Sequence, residues 1–314
     1  MHPHLRRFIL CSCVVGVCIL LYIGIAVTGP YLQEYRVLRS NQDVYRFSTD
    51  LQISCAESLL QEITLVGEGH DTGLLYSSGC KLSNITQELA WKCVQPGFHI
   101  VFVGDSRVRQ LYCYFREMWS HTATTCLKFI HDEISRLSRV HPMTVEFKWR
   151  PHINSIWTSD LKSWLSLSPD ERPDVIIAGM GVWRMRESNA SVEGEESYRG
   201  NLSALVPYFK ELRKHSHVVW IPQDPVNEKT LDERRRMLSN RLVDRYNTIA
   251  RDVFETEKIP IWWSSLQSAR HFHSFYRDCV HIYPIVDKYK SQILVNWLCQ
   301  NQRNASHNKN CCEM

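Results

Sequence analysis

The sequence predicts an α/β fold in which a mostly parallel sheet is covered by helices on both faces. Between residues 99 and 299, short apolar runs alternate with segments whose apolar residues recur every three or four positions. Several of the runs are almost free of polar residues, as is typical of strands that are buried on both faces. Strands that alternate with helices form βαβ units, and such units build a parallel sheet.

Five runs are predicted to form strands, and the segments between them helices. The predicted strands cover residues 99–103, 143–149, 174–178, 217–221 and 259–263. A predicted helix starts near residue 106, and others cover 201–215, 230–254 and 287–299. Residues 119–142 are interpreted as irregular. Because ligands bind outside the carboxyl ends of parallel strands, the polar residues that follow each strand are the candidates for a site.

Residues 8–29 form an uncharged, almost entirely apolar segment that is long enough to cross a bilayer. Arg6 and Arg7 precede it and favour a cytosolic N-terminus. We predict a retained type II signal anchor; a cleaved signal peptide that ends near residues 26–29 is the alternative. The chain then comprises a cytosolic tail (1–7), the anchor (8–29), a stem (30–52) and a lumenal folded domain (53–314).

Sequons and cysteines agree with a lumenal or extracellular setting. Nine cysteines follow the anchor, and an oxidising compartment would convert most of them to disulfides. Because nine is odd, at least one thiol is free or pairs between chains. Cys80 and Cys93 bracket Asn84 and suggest an N-terminal lobe held by disulfides. The four sequons begin at Asn84, Asn189, Asn201 and Asn304.

Charge and cysteine spacing argue against two kinds of partner. The net charge of the 314 residues is +4 without a basic cluster, which is not the pattern of a nucleic-acid-binding protein. No CxxC pair is present, which argues against a cysteine zinc ribbon. A zinc site formed by His271, His273, Cys279 and His281 is the weaker interpretation of that segment. We therefore expect neither nucleic acid nor a metal.

The candidate nucleophile is Ser106, in the segment Val-Phe-Val-Gly-Asp-Ser-Arg-Val-Arg-Gln at 101–110. Gly104 permits a sharp reversal between strand and helix, and Asp105 is expected to shape that turn. Ser106 then lies at a helix N-terminus, where free amides and the helix dipole favour negative charge. Acyl transfer needs an accessible hydroxyl beside oxyanion donors. A helix N-cap is the alternative role for this serine.

A base and a carboxylate occur together in Asp278-Cys-Val-His281, just before the last predicted helix. With three-residue spacing, Asp278 can fix the imidazole tautomer while the other ring nitrogen faces Ser106. Asp224, which follows the fourth predicted strand, is the alternative carboxylate. Gly-Asp-Ser after the first core strand together with Asp-x-x-His before the last helix resembles the SGNH (GDSL-like) hydrolase superfamily, in its PC-esterase branch.

Residues 102–111, 220–226 and 278–281 and the terminal Cys311-Cys312 are similar to the lumenal domains of animal sialate O-acetyltransferases. This resemblance covers roughly residues 50–312. It implies a flavodoxin-like three-layer α/β/α sandwich and a triad of Ser106, Asp278 and His281. It also implies acetyl transfer to a hydroxyl of sialic acid, nucleotide-activated or in a glycan, in the Golgi. Acetyl-CoA is then a co-substrate, and no bound cofactor is implied.

The chain departs from the family pattern in three places. Gly179-Met-Gly181-Val-Trp183 lacks the asparagine of the usual Gly-x-Asn oxyanion block, so the amide of Gly181 or Asn154 is the candidate second donor. Cys279 stands where the family has glycine, and it either packs or forms a disulfide. Full-length family members continue into a multispanning membrane part, so dependence on a multispanning membrane partner for acetyl supply stays open.

Neighbouring residues and the overall function keep alternatives. Arg107 is expected either to hold a substrate carboxylate or coenzyme A phosphate or to face solvent, and Arg109 to face solvent. Trp149 either lines a sugar site or packs in the core. The alternatives to the transferase are a carbohydrate O-acetyl esterase with the same triad and a non-catalytic glycan-binding relative. The intact Ser106, Asp278 and His281 argue against the latter.

Overall fold

The computed structural model describes residues 55–66, 74–77, 80–82, 85–119, 131, 133–137, 143–272 and 276–306. No helix within these ranges is both long and apolar enough to cross a membrane. The predicted anchor at 8–29, the predicted stem at 30–52 and the sequon at Asn84 lie outside the described residues.

The strands of the described residues form two sheets. In chain order they are β1 (Thr64–Val66), β2 (Leu74–Ser77), β3 (Cys80–Lys81), β4 (His99–Gly104), β5 (Ile134–Leu137), β6 (Thr144–Trp149), β7 (Val175–Gly179) and β8 (His217–Trp220). The first three make a small antiparallel sheet, and the main sheet has the order β5-β6-β4-β7-β8. Only β5 runs antiparallel to its neighbour there. The prediction of a mostly parallel sheet is confirmed.

Nine α-helices lie within the described residues. In chain order they are α1 (Cys55–Gln61), α2 (Gln87–Lys92), α3 (Ser106–Trp119), α4 (Ser155–Ser166), α5 (Val182–Glu187), α6 (Val192–Leu212), α7 (Asn240–Thr256), α8 (Trp263–His271) and α9 (Pro284–Ser306).

Alternate residues of the parallel strands face two separate hydrophobic cores, as the twofold period of a strand requires. On one face, Ile100 and Phe102 of β4 pack with residues of α1, α2, α3 and α9. On the other face, Val101 and Val103 pack with residues of α4, α5, α6 and α7. The folded part is therefore a three-layer α/β/α sandwich.

Two predicted elements differ from the structure. The predicted strand at 259–263 is reduced to a single parallel bridge between Trp220 and Ile261. Pro260 has no N–H to donate to a ladder, and α8 already begins at Trp263. The predicted helix at 230–254 begins only at Asn240, because the hydroxyl of Ser239 accepts the amide of Leu242 and caps the helix there.

Three further elements of the structure go beyond the sequence prediction. The residues interpreted as irregular, 119–142, include the edge strand β5. The helix predicted at 201–215 starts earlier, at Val192, where Ser191 caps it through the amide of Gly194. Helix α4 between β6 and β7 was not predicted, although its buried residues Trp157, Leu161 and Trp164 follow helical spacing.

A disulfide ties the two ends of the folded part together. Cys93, at the end of α2, bonds to Cys299 in α9, 206 residues away in sequence. The N-terminal lobe is therefore held to the last helix through Cys93, rather than closed on itself through that cysteine. Cys279 is a free, buried thiol.

Candidate active site

Ser106 lies at the sharp turn between β4 and α3, at the carboxyl edge of the main sheet. Gly104, two residues earlier, leaves no room for a side chain, because a Cβ there would collide with the carbonyl oxygen of Gly179 and with the side chain of Val108. This close approach of β4, β7 and α3 fixes the turn that presents the Ser106 hydroxyl. The serine side chain itself is half-buried.

His281 and Asp278 come from the loop between α8 and α9. Oδ1 of Asp278 accepts hydrogen bonds from the amides of Val280 and His281, both at 2.9 Å. The amide of Arg277 donates to the carbonyl of His281 at 2.8 Å and closes the turn. An aspartate that accepts its own following amides is a common local turn, and it places the carboxylate beside the imidazole.

The three side chains form one hydrogen-bonded series. Nε2 of His281 lies 2.7 Å from Oγ of Ser106, and Nδ1 lies 2.7 Å from Oδ2 of Asp278. The structure thus brings together the three residues proposed from the sequence. The Ser106 hydroxyl bonds the imidazole of His281. Within the described part of the chain it accepts no backbone amide of α3, so the alternative role as a helix N-cap finds no support.

The electrostatics of the series suit a general base. Burial raises the pKa of Asp278, but hydrogen bonds from the His281 ring and the Val280 amide outweigh it and hold the pKa well below its usual range. An ionised Asp278 keeps the proton on Nδ1, so that Nε2 is free to accept the proton of Ser106. The His281 side chain is 13% exposed and that of Asp278 39%, so the site opens to solvent.

Asp105 shapes the nucleophile turn from the inside. Its carboxylate is 1% exposed, and Oδ1 accepts the amide of Arg107 at 2.9 Å. Burial raises the pKa of Asp105, while the charge of Arg107 opposes that rise. This placement agrees with the expectation that Asp105 supports the turn.

Arg107 connects the nucleophile turn to two other loops. Nε donates to the carbonyl of Val280 at 3.0 Å, and Nη1 donates to the carbonyl of Asp224 at 2.8 Å. Val280 directly precedes His281, so the guanidinium joins the start of α3 to the loop that carries the base. Both Arg107 and Arg109 are buried, where α9 packs against α3. The solvent-facing alternative is therefore wrong for Arg107, and the expectation that Arg109 faces solvent is wrong.

Asp224 belongs to a buried ion pair and not to the triad. Nζ of Lys290 lies 2.6 Å and 2.8 Å from its two carboxylate oxygens. The side chains of Lys290 and Asp224 are 3% and 6% exposed. The alternative assignment of Asp224 as the orienting carboxylate is therefore wrong, since Asp278 bonds His281 instead.

Asp287 stands beside this pair in the first turn of α9. It is 2% exposed, and burial raises its pKa to about 8; Lys290 opposes the rise and Asp224 adds to it. Sequence reasoning missed both Lys290 and Asp287. The signal was present, because both charges share a helix with the buried apolar residues Val286, Ile293 and Leu294.

The two candidate oxyanion donors, Gly181 and Asn154, line one cleft of about 260 Å³ at the same sheet edge. Oδ1 of Asn154 caps α4 by accepting the amides of Ile156 (3.1 Å) and Trp157 (3.2 Å). Gly181 leads into α5, and a Cβ there would lie 3.2 Å from Cγ of Gln223. A side chain at position 181 would therefore press on Gln223, and Gly181 and Asn154 both stay candidates for the second oxyanion donor.

The other residues singled out from the sequence are Trp149 and the asparagines of the sequons. Trp149 is half-buried and stacks on His131 with ring centroids 4.3 Å apart. Asn189 is exposed in a turn, Asn201 lines the cleft from α6, and Asn304 lies in α9. Among the described residues, no group of three or more His, Cys, Asp or Glu side chains is placed to hold a metal ion.

Part of the chain is similar to a known enzyme. No family model matches the chain. The chain is similar to an N-acetylneuraminate (7)9-O-acetyltransferase from Danio rerio, with 29% identity over 245 residues. The match covers 75% of this chain and 30% of the relative, so the chain spans less than a third of the relative's length.

Solved structures that are similar to the chain include two hydrolases. An acetylxylan esterase from Geobacillus stearothermophilus shows 15% identity and a TM-score of 0.40, over 65% of this chain and 95% of that one. A lipase/acylhydrolase from Enterococcus faecalis shows 12% identity and a TM-score of 0.40, over 65% of this chain and 97% of that one.

Proposed function

We propose that this chain is a serine-dependent O-acetyltransferase that moves acetyl from acetyl-CoA, through an acetyl-serine, to a hydroxyl of sialic acid or a related glycan sugar. The observation that carries the proposal is the hydrogen-bonded series of Ser106, His281 and Asp278 at the carboxyl edge of the sheet. The name of the Danio rerio relative supports acetyl as the group transferred and a sialic acid as the acceptor.

In the first half-reaction, Nε2 of His281 takes the proton of Ser106 while Oγ attacks the thioester carbonyl of acetyl-CoA. The amide of Ser106 and a second donor, from Gly181 or Asn154, stabilise the oxyanion. The carbon–sulfur bond then breaks, and His281 returns the proton to the departing thiolate. Ser106 is left as its acetyl ester, and coenzyme A leaves as the free thiol.

In the second half-reaction, a sugar hydroxyl gives its proton to Nε2 of His281 and its oxygen attacks the acetyl carbon. The ester bond to Oγ of Ser106 breaks, and His281 protonates that oxygen. The products are the O-acetyl sugar and the free serine. Asp278 stays ionised throughout and stabilises the imidazolium that forms in each half.

A carbohydrate O-acetyl esterase is the second candidate, because the same residues act when water replaces the sugar hydroxyl. The observation that favours it is the exposure of the site, with the Asp278 side chain 39% accessible to solvent. Exclusion of water from the acetyl-serine therefore decides between the two activities.

We place the reaction in the Golgi lumen, with residues 8–29 as the membrane anchor of a single-pass type II protein. The Cys93–Cys299 disulfide and the sequons support an oxidising, glycosylating compartment. Acetyl-CoA is highly charged and does not cross a bilayer unaided, so a multispanning membrane partner that supplies the donor is part of this proposal.

The test incubates the purified full-length chain with acetyl-CoA and CMP-sialic acid and follows the products by mass spectrometry. We expect O-acetylated sialic acid from the wild type, none from Ser106→Ala, and a normal yield from Ser163→Ala, which alters an exposed serine of α4. Acetate release without an acetylated sugar would favour the esterase. Neither product, together with no labelling of Ser106 by a fluorophosphonate, would contradict both.

A further inference from the structure

The cleft that is lined by Gly181 and Asn154 lies at the same edge of the sheet as Ser106. Its walls are residues 151–154 after β6, residues 180 and 181 after β7, and side chains of α5 and α6. Gly104 pairs in register with Trp149 of β6 and with Gly179 of β7. Since these three parallel strands end at one level, the cleft and Ser106 open at the same edge of the sheet.

Arg184 of α5 lines this cleft without a partner. Its side chain is half-buried, and its Nε is buried with no hydrogen-bond acceptor among the described residues. No carboxylate of the described part of the chain lies within ion-pair distance of it. A guanidinium donor that loses water without gaining an acceptor carries a desolvation cost, and a bound anion would remove that cost.

Several other arginines form ion pairs with carboxylates of the chain. Arg150 bonds Asp160 and Glu133, Arg245 bonds Glu195, and Arg270 bonds Asp244. The carboxylate of Glu187 also lines the cleft, one turn along from Arg184. That carboxylate lies 3.3 Å from Nε2 of His152 instead. Among the described residues no carboxylate pairs with Arg184, so its guanidinium is available to an anion that enters the cleft.

The rest of the lining suits a polyhydroxy ligand of one sugar unit. Asn154 contributes a neutral amide, and the hydroxyl of Tyr198 already donates to the carbonyl of Met180 at 2.8 Å. The volume of about 260 Å³ is slightly below the usual range for ligand pockets, about 300–1,000 Å³. Such a space admits a monosaccharide more readily than a coenzyme with its nucleotide.

From these contacts we propose that the cleft is the acceptor subsite and that Arg184 binds the carboxylate of an acidic sugar. The guanidinium fork matches a carboxylate with two parallel hydrogen bonds. This proposal rests on the proposed function, since it names the part of the chain that recognises the acceptor. Anchoring the carboxylate at one end of the sugar selects which hydroxyl meets the acetyl-serine.

The experiment compares two acceptors, N-acetylneuraminic acid and its methyl ester, in which the carboxylate is neutralised. We expect the wild-type full-length chain to prefer the free acid by about 10- to 100-fold in kcat/KM. Arg184→Gln should abolish that preference and leave the KM for acetyl-CoA unchanged, and Arg184→Lys should restore part of it. Arg186→Gln is the matched control, because Arg186 lies on the same helix, over the ring of Trp183, outside the cleft.

Two results would overturn the proposal. One is an undiminished preference for the free acid in Arg184→Gln. The other is a raised KM for acetyl-CoA with the acceptor preference intact, which would mean that the guanidinium faces the phosphates of the donor.

A binding arm separates this proposal from the proposed function. If the wild type transfers acetyl to neither acceptor, the transferase proposal fails, and calorimetric binding of both sugars to full-length Ser106→Ala still tests the cleft. Tighter binding of the acid than of the ester, lost in the Ser106→Ala, Arg184→Gln double variant, would sustain the subsite. Equal binding, or no binding of either sugar, would overturn it.

Discussion

The charged side chains on the two sides of the sheet edge differ in whether they find partners within the chain. On the side covered by α3 and α9, the groups that hold the triad in place bond within the chain: Asp278 bonds His281, Arg107 bonds two main-chain carbonyls, and Lys290 bonds Asp224. Single atoms of Asp105, Arg107 and Asp287 on this side have no hydrogen-bond partner among the described residues. On the side covered by α4, α5 and α6, Arg184 faces the cleft with no partner among the described residues. The hydrogen bonds that hold the base form within the chain itself, whereas we propose that Arg184 is paired by the substrate.

This difference follows from what each side has to do. A base and its orienting carboxylate act in every turnover, so internal hydrogen bonds that fix them lower the cost of reaching the transition state. A recognition group gains its selectivity from a partner that it lacks in the free protein. Substitutions on the first side should therefore affect kcat or stability, and substitutions on the second should affect the choice of acceptor.

The largest expected effect is that of Asp278→Asn. An asparagine amide can donate to Nδ1 of His281, which would place the proton on Nε2 and leave no base for Ser106. We expect kcat for acetyl transfer to fall by about 10³- to 10⁴-fold, with the binding of sugar unchanged. Steady-state kinetics and equilibrium binding check this, and a loss of sugar binding with normal kcat would contradict it.

Lys290→Met breaks the buried ion pair and should mainly reduce stability. It leaves the Asp224 carboxylate buried next to Asp287 without its cation. We expect the free energy of unfolding to fall by about 3–5 kcal/mol, as for other buried pairs that lose one partner. Chemical denaturation measures this.

The matched control for that prediction is the double variant Lys290→Met, Asp224→Asn. It removes both charges and should recover most of the lost stability. If the single and double variants were equally unstable, the loss would reflect packing of the lysine stem instead of the unpaired carboxylate.

Arg107→Gln should lower kcat by about 10- to 100-fold with little change in the KM for either substrate. The substitution removes the hydrogen bonds to the carbonyls of Val280 and Asp224, and hence the link that holds the His281 loop to the start of α3. We expect the acidic limb of the pH–rate profile to move as well, because the imidazole would lose its fixed geometry. An unchanged profile with a raised KM would show that Arg107 contacts substrate and does not position the base.

The smallest expected effect concerns the pH dependence of stability. Burial raises the pKa of Asp287 to about 8, whereas an aspartate in an unfolded chain titrates near about 3.9. Between these values the folded chain binds more protons, so this group's contribution is complete below about pH 4 and is lost as the pH rises through about 8. Lys290 and Asp224 are the charges that face it.

Thermal unfolding at about pH 6 and about pH 9 tests that contribution. We expect the midpoint of the wild type to fall by a few degrees more than the midpoint of Asp287→Asn over this interval. Equal falls in the two proteins would show that Asp287 titrates in the folded state as it does in the unfolded chain.

Locally encoded features were predictable from the sequence, and long-range supports were not. The turn around Ser106 depends on adjacent residues, and Asp278 and His281 form one local turn, so both motifs could be recognised without a structure. Arg107 contacts the carbonyls of Val280 and Asp224 from 173 and 117 residues away, and only the fold brings them together. For the same reason, its side chain was expected at a surface or a substrate.

The predicted secondary structure failed where a local cap competed with periodicity. The predicted helix included residues 230–239, but residues 232–236 are all charged, and the helix begins at Asn240 because Ser239 caps it. The predicted strand at 259–263 has strand composition, but Pro260 limits it to one bridge. Arg184 drew no attention in the sequence, because a single arginine on a short helix becomes informative only when its surroundings lack a carboxylate.

The most direct test of the account is to observe the acetyl-serine itself. The full-length chain would be mixed with acetyl-CoA without sugar, quenched rapidly and digested, and the peptide that contains Ser106 examined by mass spectrometry. We predict that Ser106 carries one acetyl group, and that addition of sialic acid before the quench removes this acetyl and yields an equal amount of O-acetyl sugar. An unmodified Ser106, or an acetyl group that persists when sialic acid is added, would contradict the account.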